Sequence, residues 1–423
     1  MRELRCAIKH YDWGVRGTSA CRDLALANAR RNDGAFDETS LADVPFAELW
    51  AGTHPSGDSV VRETNETLSR DVRARGIDAL GAACVARFGK GETKACDVPF
   101  LMKILSVSKA LSVQAHPDKA LAEVLHARDP KNYADDNHKP EMALCVSAAF
   151  EALSGFVSAA ELAASGRMHA ELKRAAADVD AWDALERAVA SGSGDEDANA
   201  RGAFRRVFTA LMTAEKASVE RELAALETRL RASETRDAKE GLFLRLCEQY
   251  PGDVGAFCAF VLNFITLTPG QAIVMAANEP HAYLSGDCVE VMATSDNVVR
   301  AGLTPKFRDV QVLCDMLTYK LGAPQILTGE PIDACTRTYV PPFEEFALDV
   351  VELEPRATHA VAPRPGPSVW IIHRGSCVIE SRKDDRKITL TSGAVIFVDA
   401  GEETIVQTGD DDVLAYVARA NVA

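Results

Sequence analysis

The stretch Leu101–Leu125, LMKILSVSKALSVQAHPDKALAEVL, followed closely by NHKPEMALCV at Asn137–Val146, decides how this chain is read. Successive side chains of a strand point to opposite faces, so Gln114 and His116, two apart in an apolar β-like run, project from one face. Together they supply half of a metal site. Glu141 opens the next β-like run, where Met142, Leu144 and Val146 alternate with smaller residues, and its carboxylate is expected at the rim of the same sheet. His281, in NEPHAYLSGDCVE, is the fourth candidate. Each residue alone has a plainer reading, since a lone strand histidine is usually structural and glutamine is an uncommon zinc ligand. In combination, an amide oxygen, two imidazoles and a carboxylate suit a borderline-soft divalent ion such as zinc.

Working outward, 423 residues exceed what one core usually holds, so two or three domains are expected. Apolar content of 47% and charged content of 26% describe an ordinary soluble globular protein. A net charge of −15 argues against binding nucleic acid or an anionic membrane, yet leaves room for a small anionic substrate in a locally basic pocket. Basic residues gather near the proposed site: Lys103, Lys119, Lys139, Arg300, Lys306 and Arg308. Eleven cysteines without a C-x-x-C pair read as reduced thiols, Met1–Gly14 has no apolar signal core, and the expected location is the cytoplasm. The most apolar stretch, 256–277, is broken by Asn263 and Pro269-Gly270 and reads as two buried strands and a turn.

Along the chain, residues 1–100 mix strand-like runs with polar loops, with 29–40 expected as an exposed excursion. Trp13 and Trp50 read as core or pocket wall, and His54 as a lining residue of the cleft. Asp118 suits the N-cap of a helix from about Lys119 to Ala127. From Ser158 the pattern becomes helical: Ser158 and Glu161 match a capping box, and Phe204, Val207, Phe208 and Leu211, then Val219, Leu223, Leu226 and Leu230, recur at helical spacing. SGSGDEDANARG (191–202) reads as a mobile surface loop within the wider variable segment 183–202. Strands are expected to resume at Val254. A weak repeat then emerges, ITLTPG at Ile265–Gly270 and ITLTSG at Ile388–Gly393, each followed by an apolar strand. It resembles the second half of the cupin signature and suggests two related jelly-roll barrels. Eleven residues past Gly270 stands His281, but eleven past Gly393 stands Thr404, so the second barrel is expected to be metal-free and structural. The expected fold is mainly β: two cupin-type jelly-roll β-barrels plus an α-helical insertion. Its divisions are 1–157 with 251–330, a helical domain at 158–250, and a C-terminal domain at 331–423.

Longer words carry a further likeness. PFLMKILSV, ALSVQAHPDK, NHKPEMAL, EALSGF, ANEPHAYLSGDC and SDNVVRAGLTPKFRDV, with the weaker IKHYDWG and AELWAGTHPSG, resemble the type I phosphomannose isomerases over most of the first 310 residues or so. That resemblance implies one zinc ion at Gln114, His116, Glu141 and His281. It also implies interconversion of mannose 6-phosphate and fructose 6-phosphate by proton transfer between C1 and C2, supplying mannose for GDP-mannose and glycan synthesis. The family's catalytic arginine falls on Arg300, whose plainer role is an ion pair with Asp296 or Glu290. For the proton, Asp296, Lys139, Lys306, Glu290 and a metal-bound water are all candidates, with Asp296 preferred. For the phosphate, Ser112, Lys306 and Arg300 are preferred, with Lys103 behind them, and Tyr283 borders the pocket. The expected partner is a small sugar phosphate and the expected state a monomer. Two other readings stay open: an iron-dependent cupin oxygenase, which Gln114 as a ligand disfavours, and a metal-stabilised sugar-binding protein without turnover.

Overall fold

The structure is a computed structural model that describes residues 1–31, 41, 43–91, 96–192 and 194–423. It is mainly β, with an eleven-stranded, an eight-stranded and a four-stranded sheet among the described residues and a cluster of helices packed on the first. The strand order of every sheet has open ends, so no closed barrel forms among the described residues.

The eleven-stranded sheet is built on His281–Ala293, flanked by Phe100–Val107 and Glu141–Cys145. All eight residues of Phe100–Val107 are buried, as a continuous apolar run requires. The long strand serves two neighbourhoods. His281 pairs with Gln114 of Val113–Ala115 and Ser154 of Phe150–Phe156, whereas Gly286–Ala293 pairs with Phe100–Val107. Glu141 lies opposite Met292, which in a straight strand would be about 36 Å from His281 at about 3.3 Å per residue. Yet Glu141 Oε2 is 3.2 Å from His281 Nε2. The strand therefore bends sharply, at a register shift between Tyr283 and Ser285 and at Gly286, where φ is +100° and a Cβ would meet Ala149 O at 2.4 Å. This bend brings distant parts of the sequence to one centre.

The helical region follows the periodic pattern: Ala159–Met168, Ala170–Ala176, Val179–Ala190, Ala198–Met212, Lys216–Ala232 and Ala238–Gln249. Phe204, Val207, Phe208 and Leu211 are buried on one face, and Phe156 stacks on Tyr319 at 5.2 Å while meeting Phe204 and Phe208 edge-on. Ser158 Oγ accepts from the Glu161 N–H at 3.1 Å, but the Glu161 carboxylate pairs with Lys239. The reciprocal capping box forms instead at Asp237 and Glu240. Much of 183–202 is helical, because Asp197 caps Ala198–Met212 by accepting from Asn199 and Ala200.

Three further expectations change. The first hundred residues contain helices, Ala20–Arg30, Leu68–Arg75, Ile77–Leu80 and Ala82–Phe88. The excursion at 29–40 is helical at its start, and its residues 32–40 lie outside the described residues. The apolar run after Pro251 opens with helical turns, Val254–Phe257 and Cys258–Val261, capped by Asp253, before the strand Leu262–Leu267. The chain's first strand, Arg2–Arg5, joins the C-terminal sheet between Val60–Val61 and Val395–Val398. Asn28 anchors it there, its side-chain oxygen accepting from the Cys6 N–H and its amide donating to Leu4 O and Gly393 O. Both copies of the weak repeat form strand, left-handed turn, strand, with φ of +83° at Gly270 and +81° at Gly393. Thr404 opens the strand Thr404–Thr408 as His281 opens its own.

Candidate metal centre and its cavity

Three buried side chains meet without hydrogen-bond partners at their tips. His116 Nε2 and His281 Nε2 lie 3.4 and 3.2 Å from Glu141 Oε2, and all three atoms lack a hydrogen bond. Orphaned buried polar atoms are costly, so three converging on one point fit a shared cation. The far side of each imidazole is fixed: His116 Nδ1 is 2.6 Å from Asn297 O and His281 Nδ1 is 3.1 Å from Glu279 O. With Nδ1 donating, Nε2 presents its lone pair inward. Burial pushes the His116 imidazole down to about 4, with Glu141 opposing. Burial works against charge on Glu141, but Lys139 Nζ, 3.0 Å from Oε1, holds its carboxyl below the usual range. Neutral imidazole and ionised carboxylate are the forms a metal needs.

Gln114 and Glu141 line a cavity of about 510 Å³ in front of this cluster, with Ser112, Lys103, Lys139, Tyr283, Glu290, Asp296, Arg300 and Lys306. Gln114 Oε1 accepts from Ser112 Oγ at 3.1 Å, and Arg300 lies opposite Gln114 in the strand Val299–Gly302. Arg300 forms no ion pair among the described residues, so the pairing with Asp296 or Glu290 is absent; burial alone lowers its pKa. Lys103 is committed to Glu290, at 2.8 Å, and Tyr283 donates to the same carboxylate at 2.7 Å. Burial opposes the charge on Lys103, but Glu290, Glu48 and Glu141 outweigh it and raise its pKa. Asp296 stands at the mouth, its side chain 44% exposed, accepting from Ser56 Oγ at 2.9 Å. Lys306 is exposed on a loop that Asp253 fastens by accepting from the Leu303 and Thr304 N–H groups at 2.8 and 3.2 Å. Lys119 and Arg308 turn elsewhere, to Asn137 and Ala301 O.

Trp13 and Trp50 form wall, as expected, and His54, edge-on to Trp50 at 5.0 Å, does not itself line the cavity but reaches Asp296 at its mouth, with Nε2 3.5 Å from Oδ1. Sequence reasoning placed Tyr11 in the word IKHYDWG without giving it a role, and missed Glu48, Lys109 and Tyr250. Glu48, an acid in the apolar word AELWAG, carried a signal. Tyr250 did not, because it closes a helix of the insertion, where periodicity reports only the packed face. Asp135 was missed too. Its carboxylate accepts from Ser295 Oγ, the Asp296 N–H and Asn297 Nδ2, and so fixes the backbone that holds His116.

A nitrogen-and-oxygen cluster beside an open cavity, faced by a guanidinium without an ion pair among the described residues, defines a metal-assisted enzyme of small anionic substrates rather than a structural zinc knot. The sequence matches the family models described as phosphomannose isomerase type I, catalytic domain, over residues 1–159, and phosphomannose isomerase type I, helical insertion domain, over 179–262. Mannose-6-phosphate isomerase 2 of Arabidopsis thaliana is 42% identical across 98% of this chain and 92% of its own. Mannose-6-phosphate isomerase of Mus musculus is 37% identical across 98% and 97%. A crystal structure of a phosphomannose isomerase mutant from Salmonella typhimurium superposes with a TM-score of 0.80 at 26% identity, covering 99% of both chains. A zinc-bound, holo mannose 6-phosphate isomerase gives 0.78 at 26%, again over 99% of both. The chain belongs to the type I phosphomannose isomerases.

Proposed function

We propose that this chain is a zinc-dependent aldose–ketose isomerase that interconverts mannose 6-phosphate and fructose 6-phosphate and supplies mannose for GDP-mannose and glycan synthesis. The observation that carries the reading is the convergence of His116, Glu141 and His281, their tips unpartnered among the described residues, behind a cavity that the guanidinium of Arg300 also lines. Gln114 completes the ligand set, its carboxamide oriented by Ser112. Bound there, zinc supplies Lewis acidity toward a sugar oxygen.

The chain's own residues do the rest. Arg300 offers a permanently charged fork to the oxyanion that develops as the proton moves. Asp296, held by Ser56 and by its own N–H on Asp135, carries the proton between C1 and C2. Lys139 keeps Glu141 ionised, and Glu290, braced by Lys103 and Tyr283, faces the sugar hydroxyls. Ser112, Lys306 and Arg300 receive the phosphate. In this reading 1–157 with 251–330 form the catalytic unit, except that Arg2–Arg5 lies in the C-terminal sheet; 158–250 is the insertion, and 331–423 is a second jelly-roll-type unit without a ligand at Thr404. The enzyme works as a monomer in the cytoplasm.

The test is a coupled assay of fructose 6-phosphate production from mannose 6-phosphate. Turnover should vanish on chelation and return with zinc. Turnover that persists after complete chelation would contradict the metal's part, and no conversion at any zinc level would contradict the substrate.

A further inference from the structure

We propose a second divalent-metal site in the C-terminal unit, formed by Asp333, Cys335 and His359. One ligand atom from each lies within 4.8 Å of the others. Two come from the turn between the strands Glu330–Pro331 and Thr336–Tyr339 of the eight-stranded sheet; the third comes from Thr358–Val361 of the four-stranded sheet. An ion there ties the two sheets together.

The cluster is shaped before any ion arrives. Asp333 Oδ1 accepts from the Cys335 N–H at 2.8 Å, which sets the turn and leaves Oδ2 aimed at His359 Nε2, 3.8 Å away. That separation is too long for a hydrogen bond but suits two ligands of one ion bound at about 2.0–2.2 Å each. Thr336 Oγ1, 3.4 Å from the same nitrogen, offers a weak further contact. A thiol, an imidazole and a carboxylate select zinc-like ions over magnesium or calcium, which favour all-oxygen sites.

Access supports the assignment independently. Of the eleven cysteines, ten are buried and Cys335 alone is not. Asp333, Cys335 and Thr336 line a cavity of about 810 Å³ between the two β regions, whose other wall includes Cys145 and Gln271, so two of the three ligands face it, with room for a water as the remaining ligand, while His359 comes from the strand Thr358–Val361 outside that lining. Binding releases the thiol proton to solvent as Cys335 Sγ bonds the metal. This runs against the expectation of a metal-free C-terminal domain, which considered only the position of Thr404 and not the sheet edge.

Cobalt(II) separates this site from the catalytic one, because His116, Glu141, His281 and Gln114 include no sulfur. Metal-stripped full-length protein is titrated with Co²⁺ while the near-ultraviolet thiolate-to-cobalt charge-transfer band and bound equivalents are followed. The wild type should show the band, and Cys335→Ser and His359→Gln should each lose it together with one bound equivalent, while isomerase activity persists and reports a folded chain. Absence of the band in the wild type, or a band that survives Cys335→Ser, overturns the proposal. Loss of turnover in the wild type would instead count against the proposed function and leaves this readout intact.

Discussion

Arg300 reaches the cavity through its backbone: Val299–Gly302 pairs with Val113–Ala115, and no carboxylate neutralises its charge among the described residues. Arg300→Ala should leave zinc content unchanged and lower kcat by about 10²–10³-fold, checked by metal analysis beside steady-state kinetics; an unaltered kcat removes Arg300 from the chemistry. Asp135 acts at one remove, through Asn297 O on His116 Nδ1. Asp135→Ala should weaken zinc binding about 10–100-fold in a competition titration, and unchanged affinity would break that chain of contacts. Histidine and carboxylate types in strand-like words made the cluster of His116, Glu141 and His281 legible in the sequence. Asp135 was not legible, because its influence passes through backbone atoms of residues far along the chain.

Two turns hold packed elements in place, one beside the site and one in the C-terminal sheet. Asp253, at the start of the turn Val254–Phe257, accepts from Gly255, Leu303 and Thr304, and Leu303 sits at a φ of +55°. Asp253→Ala should free the Lys306 loop and raise KM for the sugar phosphate by about tenfold, the equivalent of about 1.4 kcal/mol, with zinc content unchanged. The opposite split, with kcat lost and KM retained, contradicts the loop's role. At Gly393 a Cβ would lie 2.4 Å from the Ala27 Cβ and force a left-handed φ on a side chain. Gly393→Ala should therefore cost about 2 kcal/mol or more, read as a lowered urea midpoint. The helices at 198–249 were legible because their buried faces repeat every three or four residues. Ala20–Arg30 was not: its buried face runs through Cys21, Leu24, Ala25 and Asn28, and a buried asparagine and small alanine blur the apolar period.

At the scale of the whole molecule, function depends on a fold that returns on itself. The bend of His281–Ala293 places its first residue against the carboxylate opposite its twelfth, and Arg2–Arg5 is stitched to a sheet made near residue 400. Sequence words located the clustered His116, Glu141 and His281 and separated β from helical regions. They could not report the open sheet order or the shared first strand, because pairing partners hundreds of residues apart leave no periodic trace in either segment. The central claim is that Gln114, His116, Glu141 and His281 share one ion, and anomalous diffraction at the zinc edge from zinc-loaded crystals tests it most directly. The predicted result is a peak about 2 Å from His116 Nε2, His281 Nε2, a Glu141 oxygen and Gln114 Oε1; an active, zinc-loaded crystal with no peak among these four side chains would contradict it.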